Sequence, residues 1–109
     1  MSSGHVVEVR DATFADEVLR STKPTLVDYW ADWCSPCRQL SPIIDELAAE
    51  IGDAIKFTKL DTNANPNVPT QQGVMSLPTL QIFVNGQVVK QLTGGKTKAA
   101  LLKALDEFL

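Results

Sequence analysis

The chain has 109 residues, 44% of them hydrophobic and 21% charged, and 10 Lys and Arg against 13 Asp and Glu give a formal charge of −3. So apolar a chain is not a disordered one, and a slightly acidic chain without a basic block argues against nucleic acid as its partner. No apolar run approaches the ~20 residues that span a bilayer, and Met1 to Val7 lacks the basic-then-apolar order of a secretory leader.

Val6 to Val9 is a β-branched run that reads as a first strand. Thr13, with Asp16 three residues on, reads as a capping-box start for a helix reaching about Arg20. After Pro24, the run Thr25-Leu26-Val27-Asp28-Tyr29-Trp30 predicts a buried central strand. From about Cys34 to Glu50, Leu40, Ile43, Ile44, Leu47, Ala48 and Ile51 recur at helical spacing, and Gly52 stops the helix. Pro42 lies inside it and predicts a kink. Ile55 to Asp61 reads as a third strand, and Asp61 to Gln72, rich in Asn and Pro, as a loop with at most a short helix.

Thr79 to Val84, Asn85-Gly86 and Gln87 to Leu92 form a hairpin signal, because both central positions of a type I′ turn favour such residues. Gly94-Gly95 breaks the chain, and Thr97 to Phe108 closes it as a helix with Leu101, Leu105 and Phe108 on one face. The expected architecture is α/β: a three-layer α/β/α sandwich whose mixed five-stranded sheet is flanked by about four helices. A single domain over 1–109 with a short tail at 1–5 is the expectation from length.

Cys34 and Cys37 are the only cysteines. A bridge over so short a loop removes little entropy from the unfolded chain, so a structural staple is a poor reading. A closed zinc site needs four ligands, and the single histidine, His5, has no second Cys pair to join; no metal is expected. What remains is placement. Trp30-Ala31-Asp32-Trp33-Cys34-Ser35-Pro36-Cys37-Arg38 joins the central strand to the long helix, so Cys34 faces unpaired N–H groups and the positive end of the helix dipole, which favour thiolate. Pro36 is tolerated in a first turn. Cys34 should be the accessible sulfur and Cys37 the more buried one, and at this spacing the two can close a disulfide with little movement.

Magnitudes sharpen the reading. A thiol of pKa ~8.5 is about 3% thiolate at pH 7, and lowering it by one unit gives roughly 25% for about 1.4 kcal/mol. Each thiolate then attacks about threefold more slowly, so the main gain is that Cys34 becomes a good leaving group when Cys37 attacks a mixed disulfide. This is the chemistry of dithiol–disulfide exchange. Asp28 is a carboxylate on the Leu26 and Trp30 face of its strand, and burial would raise its pKa toward that of a general base. Lys59, on the Ile55 and Phe57 face, brings a cation into the apolar layer, so the two read as a functional buried pair, a fold-specifying ion pair or the mark of an edge-exposed strand.

With Val27-Asp28-Tyr29-Trp30-Ala31-Asp32-Trp33-Cys34, Lys59-Leu60-Asp61, Leu77-Pro78-Thr79-Leu80, Asn85-Gly86 and Gly94 in order, nearly the whole chain resembles the thioredoxin family. The resemblance implies the thioredoxin fold and a protein-disulfide reductase with a redox-active Cys34–Cys37 disulfide and no bound cofactor. It implies that Asp28 assists deprotonation of Cys37, with Lys59 modulating it, and that Pro78 is cis with the Leu77 backbone free to pair with a substrate strand. Trp33, Val74, Met75, Leu77 and the Gly94-Gly95 turn become the expected docking surface around Cys34; Val74 and Met75 read equally well as core. Ser35 stands where the family usually has Gly, so Ser35, with Pro36 and Pro78, is expected to tune the couple. Gln72 replaces a frequent aromatic, and Pro69 is expected to interrupt the short helix.

The implied partners are disulfide-containing proteins and an NADPH-dependent thioredoxin reductase, since the chain carries no GxGxxG fingerprint of its own. No membrane partner, a monomer and a cytoplasmic location are expected. Two other functions compete: a scaffold of the same fold without redox turnover, and a more oxidising oxidase or isomerase, which would want an oxidising compartment.

Overall fold

In a computed structural model describing residues 5–109, five strands pair in the order β1-β3-β2-β4-β5. They are β1 (Val6–Val9), β2 (Thr25–Trp30), β3 (Lys56–Asp61), β4 (Thr79–Val84) and β5 (Gln87–Thr93). β1 and β2 both run parallel to β3, while β4 is antiparallel to β2 and β5. The sheet is mixed, as expected; residues 1–4 of the expected tail lie outside the described residues.

Period-two alternation divides the core. Leu26, Phe57, Leu80 and Ile82 face α1 (Ser35–Ile51) and α3 (Lys98–Leu105), which contribute Leu40, Ile44, Leu47, Leu101 and Leu105. Val27, Tyr29, Leu60 and Phe83 face the other way, onto Phe14, Val18 and Val68. Asp28 and Lys59 are paired in register on the α1 side, which sets both beneath the start of that helix.

Two local expectations change. Instead of a capped helix from Thr13 to Arg20 there is a π-helical turn over Ala15–Leu19, where the Arg20 N–H reaches the Ala15 carbonyl. The Thr13 hydroxyl turns back to accept from the Arg10 N–H, and Asp16 pairs with Arg20, so neither caps the turn. α1 continues past Pro42 to Ile51, and that residue has no N–H to give the Arg38 carbonyl, as expected. Pro69 lies inside α2 (Asn67–Gln71) and does not interrupt it, because amide donors in a first turn have no helical partner to lose.

The start of α2 is served from far away. Its N-cap, Pro66, offers no side chain, and the Asp11 carboxylate accepts from the Asn67 and Val68 N–H groups at 3.1 and 2.9 Å. Asp11→Ala should lower stability by about 1–2 kcal/mol. A urea titration would show this as a lower midpoint with an unchanged slope. Asn85 and Gly86 both have positive φ, 52° and 79°, as the hairpin signal demands, and a Cβ on Gly86 would stand 3.0 Å from the Leu19 carbonyl oxygen.

In the centre of the sheet, Tyr29 donates its hydroxyl proton to Gln81 Oε1 at 2.8 Å. The Gln81 amide donates in turn to Gln91 Oε1 and to the Gln72 carbonyl, at 2.8 and 3.1 Å. This buried network fixes β4 between its neighbours and ties the start of the 73–77 loop to the sheet.

Candidate active site

The β2–α1 junction places the two cysteines. A turn closed by the Cys34 N–H on the Ala31 carbonyl ends β2, and Cys34 becomes the N-cap of α1, with Pro36 in the first turn. Cys34 and Cys37 form a disulfide across a Cα–Cα distance of 5.3 Å. The Cys37 N–H donates to Cys34 Sγ at 3.2 Å, so the helix-end donor expected to stabilise a Cys34 thiolate already points at its sulfur. The exposed Ser35 hydroxyl makes no such bond. The expected contrast in burial is absent from this oxidised form, in which Cys34 is 4% and Cys37 3% exposed. What separates them is their surroundings. Both pack with Ala31 against Trp30 and Leu77, but only Cys37 lines the cavity below the helix start.

That cavity, about 110 Å³, is walled by Asp28, Trp30, Cys37, Arg38, Ser41 and Lys59. Asp28 is 4% exposed, and burial pushes its carboxyl up to about 7, with the Lys59 ammonium opposing the rise and Asp45 adding to it. The expected contact pair does not form: no Asp28–Lys59 ion pair exists within 4 Å among the described residues. Lys59 instead carries its ammonium over the Trp30 ring, 5.9 Å from the centroid, and acts on Asp28 from a distance. Asp28 Oδ1 and Trp30 Nε1 are both buried without a hydrogen-bond partner. A cavity of this size, lined by orphaned polar groups, has both the room and the partners for water.

On the outer side, Trp33 is 69% exposed and donates its indole N–H to Asn63 Oδ1 at 3.2 Å. With Thr62, Pro69, Val74, Met75, Ser76 and Leu77 it lines a groove of about 200 Å³. Met75 is 93% exposed and so is not core, whereas Val74 and Leu77 are half-buried against the core beneath. The Leu77–Pro78 bond is cis. Gly94 does not reach this groove; its N–H donates to the Pro78 carbonyl at 2.9 Å, and Gly95 lines a second groove beside Pro36. Leu77 is unpaired in the sheet, whose β2–β4 ladder ends at Thr79. Asn63, Thr62, Asp45, Arg38 and Ser41 were not anticipated. The three on α1 follow Cys37 at one, four and eight residues, so helical spacing could have found Ser41 and Asp45; nothing marked Asn63 and Thr62.

Among the described residues, no group of three or more His, Cys, Asp or Glu is gathered to hold a metal, and no helix is long and apolar enough to cross a membrane. A model of the thioredoxin family matches residues 5–107. The chain is similar to thioredoxin 1 of Synechococcus elongatus, 48% identical over 93% of this chain and 94% of that protein. It is similar to the thioredoxin of Mycobacterium tuberculosis, 46% identical over 93% of this chain and 87% of that protein. A bifunctional thioredoxin reductase/thioredoxin of Mycobacterium leprae is 43% identical over 97% of this chain, which covers 23% of that longer protein.

Proposed function

The chain belongs to the thioredoxin family, and on that premise we propose that Cys34 is its attacking thiolate, Cys37 its resolving thiol and Asp28 the base that serves Cys37. The protein is a thiol–disulfide oxidoreductase that reduces protein disulfides. One observation carries the assignment of roles: Cys34 accepts the helix-start N–H, while Cys37 shares its cavity with the buried carboxylate.

In the reduced protein the Cys34 thiolate attacks a substrate disulfide. A mixed disulfide forms, and the first substrate sulfur leaves as a thiolate that takes a proton from solvent. Asp28, ionised, accepts the Cys37 proton through water, and the Cys37 thiolate then attacks Cys34 Sγ. The second substrate thiolate departs, and Cys34–Cys37 closes. Two electrons have passed to the substrate. Lys59 keeps the Asp28 carboxyl from rising further, so a usable fraction is ionised near neutral pH.

The Trp33–Leu77 groove is the docking site, where the free backbone of Leu77 accepts an extended strand and the apolar walls take its side chains. Pro78 and Gly94 fix the far end of that backbone. Trp33→Ala should raise KM for a protein disulfide about tenfold and leave turnover of a small aromatic disulfide within about twofold. Equal losses on both substrates would remove Trp33 from docking.

An NADPH-dependent thioredoxin reductase in the cytoplasm returns the electrons; the fused reductase and thioredoxin named in Mycobacterium leprae supports that pairing. The function is tested by equilibrating the couple in graded dithiol buffers. A potential below the cytosolic glutathione poise of about −220 to −260 mV fits a reductase. One above it makes the protein an oxidase or isomerase, with Ser35→Gly as the next variant. A pair that never cycles leaves a scaffold.

A further inference from the structure

We propose that Ser41 is a positioning residue for proton transfer from Cys37 to Asp28, its hydroxyl holding a water in the cavity against the ionised carboxylate. The inference rests on the role given to Asp28 above. Ser41 stands one helical turn beyond Cys37 on the same face of α1 and lines the same cavity as Cys37 and Asp28. A helical serine commonly bonds back to the carbonyl four residues earlier, here that of Cys37; among the described residues its hydroxyl makes no such bond. Ser41 is exposed as well as lining the cavity, and its hydroxyl is free to turn toward a water held there. A bound water needs two to four polar partners, and the cavity wall supplies Asp28 Oδ1, the Trp30 indole N–H and the Ser41 hydroxyl, the first two buried without any other partner.

The sign of the effect follows from the charges that face Asp28. From β3 comes Lys59, from α1 come Cys37, Arg38 and Asp45, and from β2 itself comes Trp30; β4 presents only Leu80 opposite it. In that setting a hydroxyl donating through water favours the carboxylate over the carboxylic acid. Removing it makes Asp28 harder to ionise.

The experiment is a pH titration of the Asp28 carboxyl in the oxidised protein by infrared difference spectroscopy, paired with the pH dependence of disulfide reduction. Ser41→Ala should move both midpoints up by roughly half a unit, about a twofold loss of rate near neutral pH, and Ser41→Thr should restore them. An unmoved or lowered midpoint in Ser41→Ala overturns the proposal, as does failure of Ser41→Thr to restore it. Asp28→Asn separates this from the underlying reading. If the rate keeps its wild-type pH dependence in Asp28→Asn, Asp28 is not the base and Ser41 falls with it. If Asp28→Asn abolishes that dependence while Ser41→Ala leaves it in place, Asp28 stands and Ser41 alone falls. In the doubly substituted protein, Ser41→Ala should add nothing.

Discussion

Cys37→Ser should stop turnover at the mixed disulfide, accumulating one substrate per protein on Cys34, while Cys34→Ser should neither turn over nor accumulate an adduct. The asymmetry follows from placement, since burial in the oxidised form is the same for both. Cys34 Sγ takes the helix-start N–H, whereas Cys37 lines the inner cavity. With Cys37 replaced, release depends on external thiol, and losing a correctly oriented intramolecular attacker costs at least ~10³-fold in turnover. Intact-mass measurement after mixing with a disulfide substrate reads the adduct directly. An adduct on Cys37 in Cys34→Ser, formed as fast as the one on Cys34 in Cys37→Ser, would reverse the assignment.

The second large effect belongs to Asp28, and it has two opposite faces. Folding raises its carboxyl from 3.8 to about 7. Between those values the folded protein holds a proton that the unfolded chain has released, so stability falls as pH rises from about 4 through 7 and stays low above it. The three-unit shift corresponds to about 4 kcal/mol, of which Asp28→Asn should recover roughly 2–4 kcal/mol at pH 8 and almost nothing at pH 4. Calorimetry should show Tm higher by roughly 10 °C at pH 8. The same variant should lose about 10²-fold in the rate of the resolving step near neutral pH. A buried carboxylate that weakens the fold is the trade expected if Asp28 is the base proposed above. An Asp28→Asn protein no more stable at pH 8 than at pH 4, relative to wild type, would mean that Asp28 is not buried as a charge.

Much of this was legible in the residues. Alternating strand and helix patterns, and Asn85-Gly86 at the hairpin, sufficed for the layers and for the antiparallel end of the sheet. Period two alone placed Asp28 and Lys59 in the layer beneath the long helix. It could not say that the lysine would swing to the Trp30 face instead of meeting the carboxylate, because register fixes backbones and leaves a four-carbon side chain free to choose. The π-helical turn was hidden for a related reason: Thr13 and Asp16 match a cap signal, but the Arg10 amide and Arg20 guanidinium compete for them. Asp11 serves a helix more than fifty residues away, and no local pattern announces such a partner. Equal burial of the two cysteines comes from the Ala31, Trp30 and Leu77 packing around both, which position along a helix does not encode.

The amide of Gln81 reaches the Gln72 carbonyl, one residue before the loop that walls the Trp33 groove. With the Thr79 hydroxyl on the Ser76 carbonyl and the Val74 N–H on that of Pro69, that anchor bears on the thermodynamics of recognition. A loop already fastened to the middle of the sheet gives up little freedom when something binds, so the ordering entropy of association falls mainly on the incoming strand. In the proposed docking, a partner segment that must straighten carries the larger loss and one already extended carries little, so affinity should track how easily a disulfide-bearing segment straightens. Loosening the anchor, as Gln81→Leu would, moves part of that loss onto the protein itself and makes binding more enthalpic and weaker on a calorimeter, with the cysteines untouched.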